Sequence, residues 1–141
     1  KPCILISLDL SAAFDMIPHS TLLSRLQTSF GITGSALSCI TSYLSNRSQR
    51  VRVGQSLSES TVCDTGVPQG SVLGPLLFSL YVSPIGQIAS PFNISLQQYA
   101  DDTQLYFSSS AAELHSNLTR FEQCLATLLH SWFYHNTTVL C

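Results

Sequence analysis

Charge is what this chain has least of. Only 10% of its 141 residues are charged, against roughly a quarter in ordinary soluble domains. Six basic residues face eight acidic ones, for a net charge of −2. A free-standing nucleic-acid-binding domain is normally basic, so tight autonomous binding to nucleic acid is not expected. The five cysteines (Cys3, Cys39, Cys63, Cys124, Cys141) are scattered without a CxxC pair, which signals neither a zinc site nor a disulfide framework. With no secretory leader, that odd count favours a reducing compartment, so the expected location is intracellular, nucleus or cytoplasm, and not secreted. Long apolar runs are missing as well. The longest, residues 72–82, is broken by Gly74, Pro75 and Ser79, so no membrane span and no membrane partner is expected. Repeats, linkers and low-complexity stretches do not occur.

What is present is apolar surface: 45% of residues are hydrophobic and mean hydropathy is +0.25. That is enough to offset chain entropy, which excludes intrinsic disorder. The length fits one domain or a piece of a larger one. The chain opens at Lys1, enters a hydrophobic run at once, and closes on Val139 and Leu140. Domains ordinarily begin and end in polar chain, so these ends predict a piece of a larger fold. Four sequons, at Asn46, Asn93, Asn117 and Asn136, are read as chance in a chain rich in serine and threonine.

Periodicity predicts alternating elements. Residues 3–10 read as a buried strand ending at Asp9, and helices are expected over 20–30 and 35–44. In residues 47–54, Arg50 and Arg52 alternate with Val51 and Val53, which predicts a half-buried strand with residues 60–65 as its hairpin partner. A Gly/Pro-dense loop, 66–74, precedes a helix over 73–85. Strands over 94–99 and 103–108 join at Ala100-Asp101-Asp102. Ser110 and Glu113 have capping-box spacing before a helix whose stripe is Leu114, Leu118, Phe121, Leu125, Leu128 and Trp132. The class is α+β.

Half of the acids sit in two places. Asp9 closes a hydrophobic strand with Asp15 six residues on, and Asp101 and Asp102 are adjacent at a strand–strand turn. Adjacent carboxylates repel, and apolar surroundings disfavour their ionised forms. They persist either as a solvated turn, where Asp is a favoured residue, or with a cation between them. Asp9 alone is equally readable as a helix cap.

The text around these acids decides between the readings. Leu8-Asp9-Leu10-Ser11-Ala12-Ala13-Phe14-Asp15, then Gly66-Val67-Pro68-Gln69-Gly70, then Tyr99-Ala100-Asp101-Asp102 resemble, in order, the first palm aspartate motif, the Pro-Gln-Gly motif and the Tyr-x-Asp-Asp motif of reverse transcriptase. The resemblance is to the non-LTR, LINE-type retrotransposon polymerases, and it runs over almost the whole chain. It implies a polymerase palm-like antiparallel sheet packed on helices, with residues 1–141 as a single palm fragment lacking fingers and thumb. It implies an RNA-directed DNA polymerase that takes an RNA or DNA template, a primer and a deoxynucleotide. The cofactor would be two Mg²⁺ ions, with Mn²⁺ an alternative.

The resemblance also assigns roles. Asp9, Asp101 and Asp102 are the catalytic, metal-binding carboxylates, and Leu10 offers a backbone carbonyl to a metal. Phe14 stands at the steric gate that blocks a ribose 2′-hydroxyl, although a core aromatic has the same pattern. Gln69 and Gly70 line the nucleotide pocket and template side, and Tyr99 and Ala100 lie near the primer end. Asp15 is taken as structural, capping or pairing near His19. Arg47, Arg50 and Arg52 are half of the basic residues. They read either as phosphate contacts or as a solvated edge that blunts strand pairing. His19, His115, His130 and His135 have no ligand-like spacing.

The basic fingers and the thumb of that family are not in this sequence, and after Trp132-Phe133 the resemblance ends at residues 137–141. Little or no polymerase activity is therefore expected of the chain alone, because metal catalysis needs positioned reactants. The missing polymerase parts of the same element are the implied partners. The alternative is a non-enzymatic retroelement remnant with at most weak nucleic-acid or protein binding.

Overall fold

The computed structural model describes residues 3–10 and 12–133, apart from the side chain of Phe133. Ser11 of the first motif, His135, the sequon at Asn136 and residues 137–141 lie outside the described residues.

The first strand, β1, spans Cys3–Leu8. Ile4, Ile6 and Leu8 turn inward while Cys3, Leu5 and Ser7 turn out, the period-2 pattern of a strand with one covered face. A tight turn follows, in which the backbone N–H groups of Asp15 and Met16 both donate to the Ala12 carbonyl. Helix α1, His19–Phe30, buries Leu22 and Leu26, and Gly31 in the left-handed region (φ 64°) closes it. Helix α2 spans Gly34–Leu44 and seats Leu44 in the core.

Next comes a ribbon of four two-residue strands: β2 (Ser48–Gln49), β3 (Arg52–Val53), β4 (Ser56–Leu57) and β5 (Thr61–Val62). β2 pairs with β5, and β3 with β4. The predicted partner segment pairs only with Ser48–Gln49, since Arg52–Val53 folds back on Ser56–Leu57 instead, and the predicted half-burial is not found. Val51 is 65% and Val53 74% exposed, because no second layer lies beneath the ribbon and both faces meet solvent.

Helices α3 (Leu73–Val82) and α4 (Pro84–Ala89) and a 3-10 turn (Ser90–Phe92) form one helical run, longer than the expected 73–85. By length and composition alone, Leu73–Phe92 could cross a membrane. Its Leu77, Phe78, Tyr81, Val82, Ile85 and Ala89 are buried in the core, as a core helix requires. Strands β6 (Ser95–Tyr99) and β7 (Asp102–Ser108) follow, and β1, β7 and β6 form an antiparallel sheet in that order.

Helix α5, Leu114–Leu128, ends in a π-helical turn, Leu129–Phe133. Its buried stripe is Asn117, Phe121, Cys124 and Leu128, continued by Trp132. Leu118, expected on that stripe, is exposed instead. A stripe drawn from large apolar residues could not include Asn117, which enters the core because its amide donates to Ser109 Oγ at 2.9 Å. That burial also closes the Asn117 sequon to a glycan. Ser110 and Glu113 do meet, but as a hydroxyl-to-carboxylate bond of 2.8 Å and not as a reciprocal capping box.

The sheet has one covered and one open face. Thr103, Leu105 and Phe107 of β7 point at the helices, with the Phe107 ring 5.5 Å from Phe121. Tyr81 of α3 meets Trp132 at 5.6 Å, which ties the helical run to the end of α5. On the other face Leu5, Ser7, Asp102 and Tyr106 are exposed.

Leu105→Ala is expected to cost about 2–5 kcal/mol in urea denaturation, and Val53→Ala less than about 0.5. Burial pushes the Cys124 thiol up. A raised thiol value contributes stability below the ordinary thiol range and loses it as pH climbs through the raised value. Iodoacetamide at neutral pH should label exposed Cys3 and Cys39 and spare Cys124.

Candidate active site

Two neighbouring strands carry the carboxylates. The β1–β7 ladder runs from Cys3↔Ser108 to Leu8↔Thr103; Asp9 directly follows its last residue on one strand and Asp102 directly precedes it on the other. Both residues are exposed, in phase with the open face. The β6–β7 hairpin closes at Tyr99↔Asp102, so its loop is Ala100 and Asp101. Ala100 takes φ 52°, the left-handed conformation such a tight loop needs at its first position. The three acids thus reach one end of the sheet from distant parts of the chain.

The other predicted residues fall around them. Leu10 follows Asp9 with its side chain buried. Phe14 is half-buried and stacks on Phe78 at 4.7 Å, so it is a core-packed ring. Tyr99 is 81% exposed on the open face.

The loop after Thr65 is laced onto the turn after Asp9. Gly66 N–H donates to the Ile17 carbonyl and Val67 N–H to the Phe14 carbonyl, both at 2.8 Å, and Pro18 bridges Thr65. His19 Nε2 lies 2.7 Å from the Gly66 carbonyl. Gly66 has φ 84°, and a Cβ there would lie 3.0 Å from the Asp15 carbonyl oxygen, so only glycine fits this crossing. The loop delivers exposed Gln69 to Asp15: Gln69 Nε2 donates to Oδ1 at 3.2 Å, with Oδ2 at 3.4 Å. Asp15 therefore pairs with Gln69 and not with His19, as the sequence had led us to expect. The loop brings in the longer partner, and His19 is turned to a backbone carbonyl. Gly70, at φ 75°, has open space around its Cα.

An open groove of about 550 Å³ lies beside this crossing, lined by Asp15, His19, Arg47, Asp64 and Gln69 among others. Arg47 is the one predicted arginine that reaches it; its guanidinium lies over the Tyr43 ring at 4.6 Å and its Nε donates to the Tyr43 carbonyl. Arg50 and Arg52 stay on the exposed ribbon, away from the carboxylates and the groove. Arg25 escaped the sequence reading. It donates to the Tyr81 carbonyl and lies over that ring at 5.0 Å, tying α1 to α3, and burial lowers its pKa. The available signal was a charge set between Leu22 and Leu26 on a buried helix face.

Neighbouring carboxylates repel, and a cation bound between them would relieve that. The donors are hard carboxylate oxygens, which suit Mg²⁺. Among the described residues no three His, Cys, Asp or Glu side chains converge into a cage. Mg²⁺ does not ask for one, since it is held by one or two carboxylates, waters and substrate phosphates. The donor atoms are of the chemical kind that ion takes.

A three-stranded antiparallel sheet on helices, with acids at one end, is a palm-like α+β fold. The chain belongs to the reverse transcriptase (RNA-dependent DNA polymerase) family, whose model matches residues 1–131. It is 35% identical over 136 residues to a "Probable RNA-directed DNA polymerase from transposon BS" of Drosophila melanogaster, covering 92% of this chain and 15% of that protein. It is 32% identical over 110 residues to the RNA-directed DNA polymerase from mobile element jockey of the same species, covering 74% and 12%. A Pol polyprotein from the type-1 retrotransposable element R2 of Popillia japonica is 34% identical over 111 residues, covering 71% and 16%. The chain thus spans only 12–16% of the length of these relatives. Among solved structures, telomerase from Candida albicans superposes with a TM-score of 0.68 at 13% identity, covering 100% of this chain and 28% of that one. Telomerase from Candida tropicalis gives 0.62 at 16%, covering 99% and 30%. At such identities the likeness is one of fold.

Gly66→Ala should destabilise the chain by more than about 1 kcal/mol, from both φ strain and the clash with Asp15. Gly70→Ala, with strain but no clash, should cost less. Thermal melting of the two variants distinguishes them.

Proposed function

We propose that this chain supplies the palm of an RNA-directed DNA polymerase of the non-LTR retrotransposon type. The observation that carries the reading is the convergence of Asp9, Asp101 and Asp102 on one end of the β1–β7–β6 sheet. Family membership and the three ordered motifs support it. The reaction is attack of a primer 3′-oxygen on the α-phosphate of a deoxynucleotide, with pyrophosphate leaving.

Asp9, Asp101 and Asp102 would hold two Mg²⁺ ions, with the Leu10 carbonyl as a further oxygen donor. Bound there, the ions lower the pKa of the attacking hydroxyl and stabilise charge on the leaving oxygens. The protein's part is placement. Asp9 directly follows β1, Asp102 opens β7 and Asp101 lies in the hairpin loop before it. Gln69 and Gly70 border the nucleotide, and Phe14, braced by Phe78, closes the sugar side against a 2′-hydroxyl. Exposed Tyr99 and half-buried Ala100 border the primer end. Arg47, beside the groove, is a better phosphate contact than Arg50 or Arg52, which match the solvated-edge reading.

Template and primer binding is proposed to need the polymerase segments that the relatives carry outside the matched region, because the chain has only six basic residues. The chain alone is accordingly proposed to be inactive. Its place of work is proposed to be inside the cell, consistent with four free cysteines among the described residues.

Primer extension on an RNA template with Mg²⁺ and deoxynucleotides tests this, using the complete polymerase that contains this segment. Asp101→Asn with Asp102→Asn should reduce synthesis by more than about 100-fold. Phe14→Ala should raise ribonucleotide incorporation relative to deoxynucleotide. Synthesis unaffected by the paired Asp variants refutes the assignment. No synthesis by the unaltered polymerase favours a non-enzymatic remnant.

A further inference from the structure

We infer that Asp15 is a positioning residue for Gln69, fixing the amide of that side chain before a nucleotide arrives. The inference rests on reading residues 66–70 as the nucleotide-pocket loop.

The crossing of the two motifs is rigid at the backbone. Gly66 and Val67 donate to carbonyls on either side of Asp15, Val67 is buried, and the Gly66 Cα touches the Asp15 backbone closely enough to exclude a methyl group. Three residues further on, Gln69 is exposed and would be free to rotate. Among the described residues its side chain hydrogen-bonds to the Asp15 carboxylate, at 3.2 and 3.4 Å to the two oxygens. That carboxylate has no other partner among the described residues. The guanidinium of Arg47, which lines the same groove, is turned onto Tyr43.

An ionised carboxylate only accepts hydrogen bonds, so it takes the amide nitrogen of Gln69 and rejects the oxygen. The flip state of the amide is thereby set. Gln69 Oε1 forms no hydrogen bond among the described residues and is left as an acceptor for a donor group on the nucleotide. Ordering a long side chain costs free energy when it happens on binding, and an orientation held in advance removes that cost from nucleotide affinity. A neutral partner at position 15 would select between the amide ends less strongly, and an apolar one would not select at all.

The test is single-nucleotide incorporation on a primed RNA template by the complete polymerase that contains this segment. It compares Asp15→Ala, Asp15→Asn, Gln69→Ala and the Asp15→Ala/Gln69→Ala double variant, with melting recorded for each. Asp15→Ala is expected to raise the nucleotide KM by about 3–10-fold. Gln69→Ala should raise it at least as much, and the double variant no further, because the two residues act as one unit. Asp15→Asn keeps an acceptor oxygen but adds a donor, and should recover part of the loss. If the single effects multiply, or Asp15→Asn falls as far as Asp15→Ala, Asp15 acts through the fold of its turn and the inference fails. A silent Asp15→Ala in an enzyme that Asp101→Asn with Asp102→Asn abolishes overturns the positioning role alone. Synthesis that survives the paired Asp variants overturns the polymerase reading and this inference with it.

Discussion

The antiparallel ladder between β1 and β7 is the constraint on which the site depends. It pairs six residues on each side and ends where the acids begin, so the hydrogen bonds that hold Leu8 against Thr103 also bring Asp9 and Asp102 to the same end of the sheet. In a sheet the side-chain period is two, and a slip of one residue would send these acids into the core and Thr103 and Leu105 into solvent. The packing of Leu8, Leu105 and Phe107 against the helices forbids that slip. The hydrophobic core therefore fixes which face of the sheet the acids take.

A second crossing locks the first. The loop at Gly66 passes so close to Asp15 that its backbone can donate to Phe14 and Ile17 on both sides. This ties the stretch after Asp9 to the stretch before α3, two segments that neither the sheet nor the helices join directly. Phe14 completes the tie by stacking on Phe78 of α3. The structure thus shows Phe14 as a core-packed ring.

The ribbon over residues 48–62 contrasts with this. It carries Arg50 and Arg52 and exposes Val51 and Val53, with ladders of only two residue pairs each. A two-stranded ribbon without a covering layer is marginal in water. The same alternation that reads as half-burial in the sequence is here a local pairing pattern with no core beneath it.

Much of the fold was legible from periodicity, because strands and helices with one buried face must repeat at 2 and 3.6 residues. β1, α1, α2 and the β6–β7 hairpin all lie within a residue or two of their expected bounds, and the acids were legible as a set from the motifs around them. What the sequence could not decide was anything that depends on which surface finds a partner. Leu118 faces solvent and Asn117 the core because Ser109 offers a hydrogen bond. Arg25 is sheltered because Tyr81 offers its carbonyl and its ring. Asp15 meets Gln69 and not His19 because the loop at Gly66 crosses where only a hydrogen atom fits. Local pattern determines the element and the kind of chemistry a residue can do; the side chain it meets is settled by the close packing of distant segments.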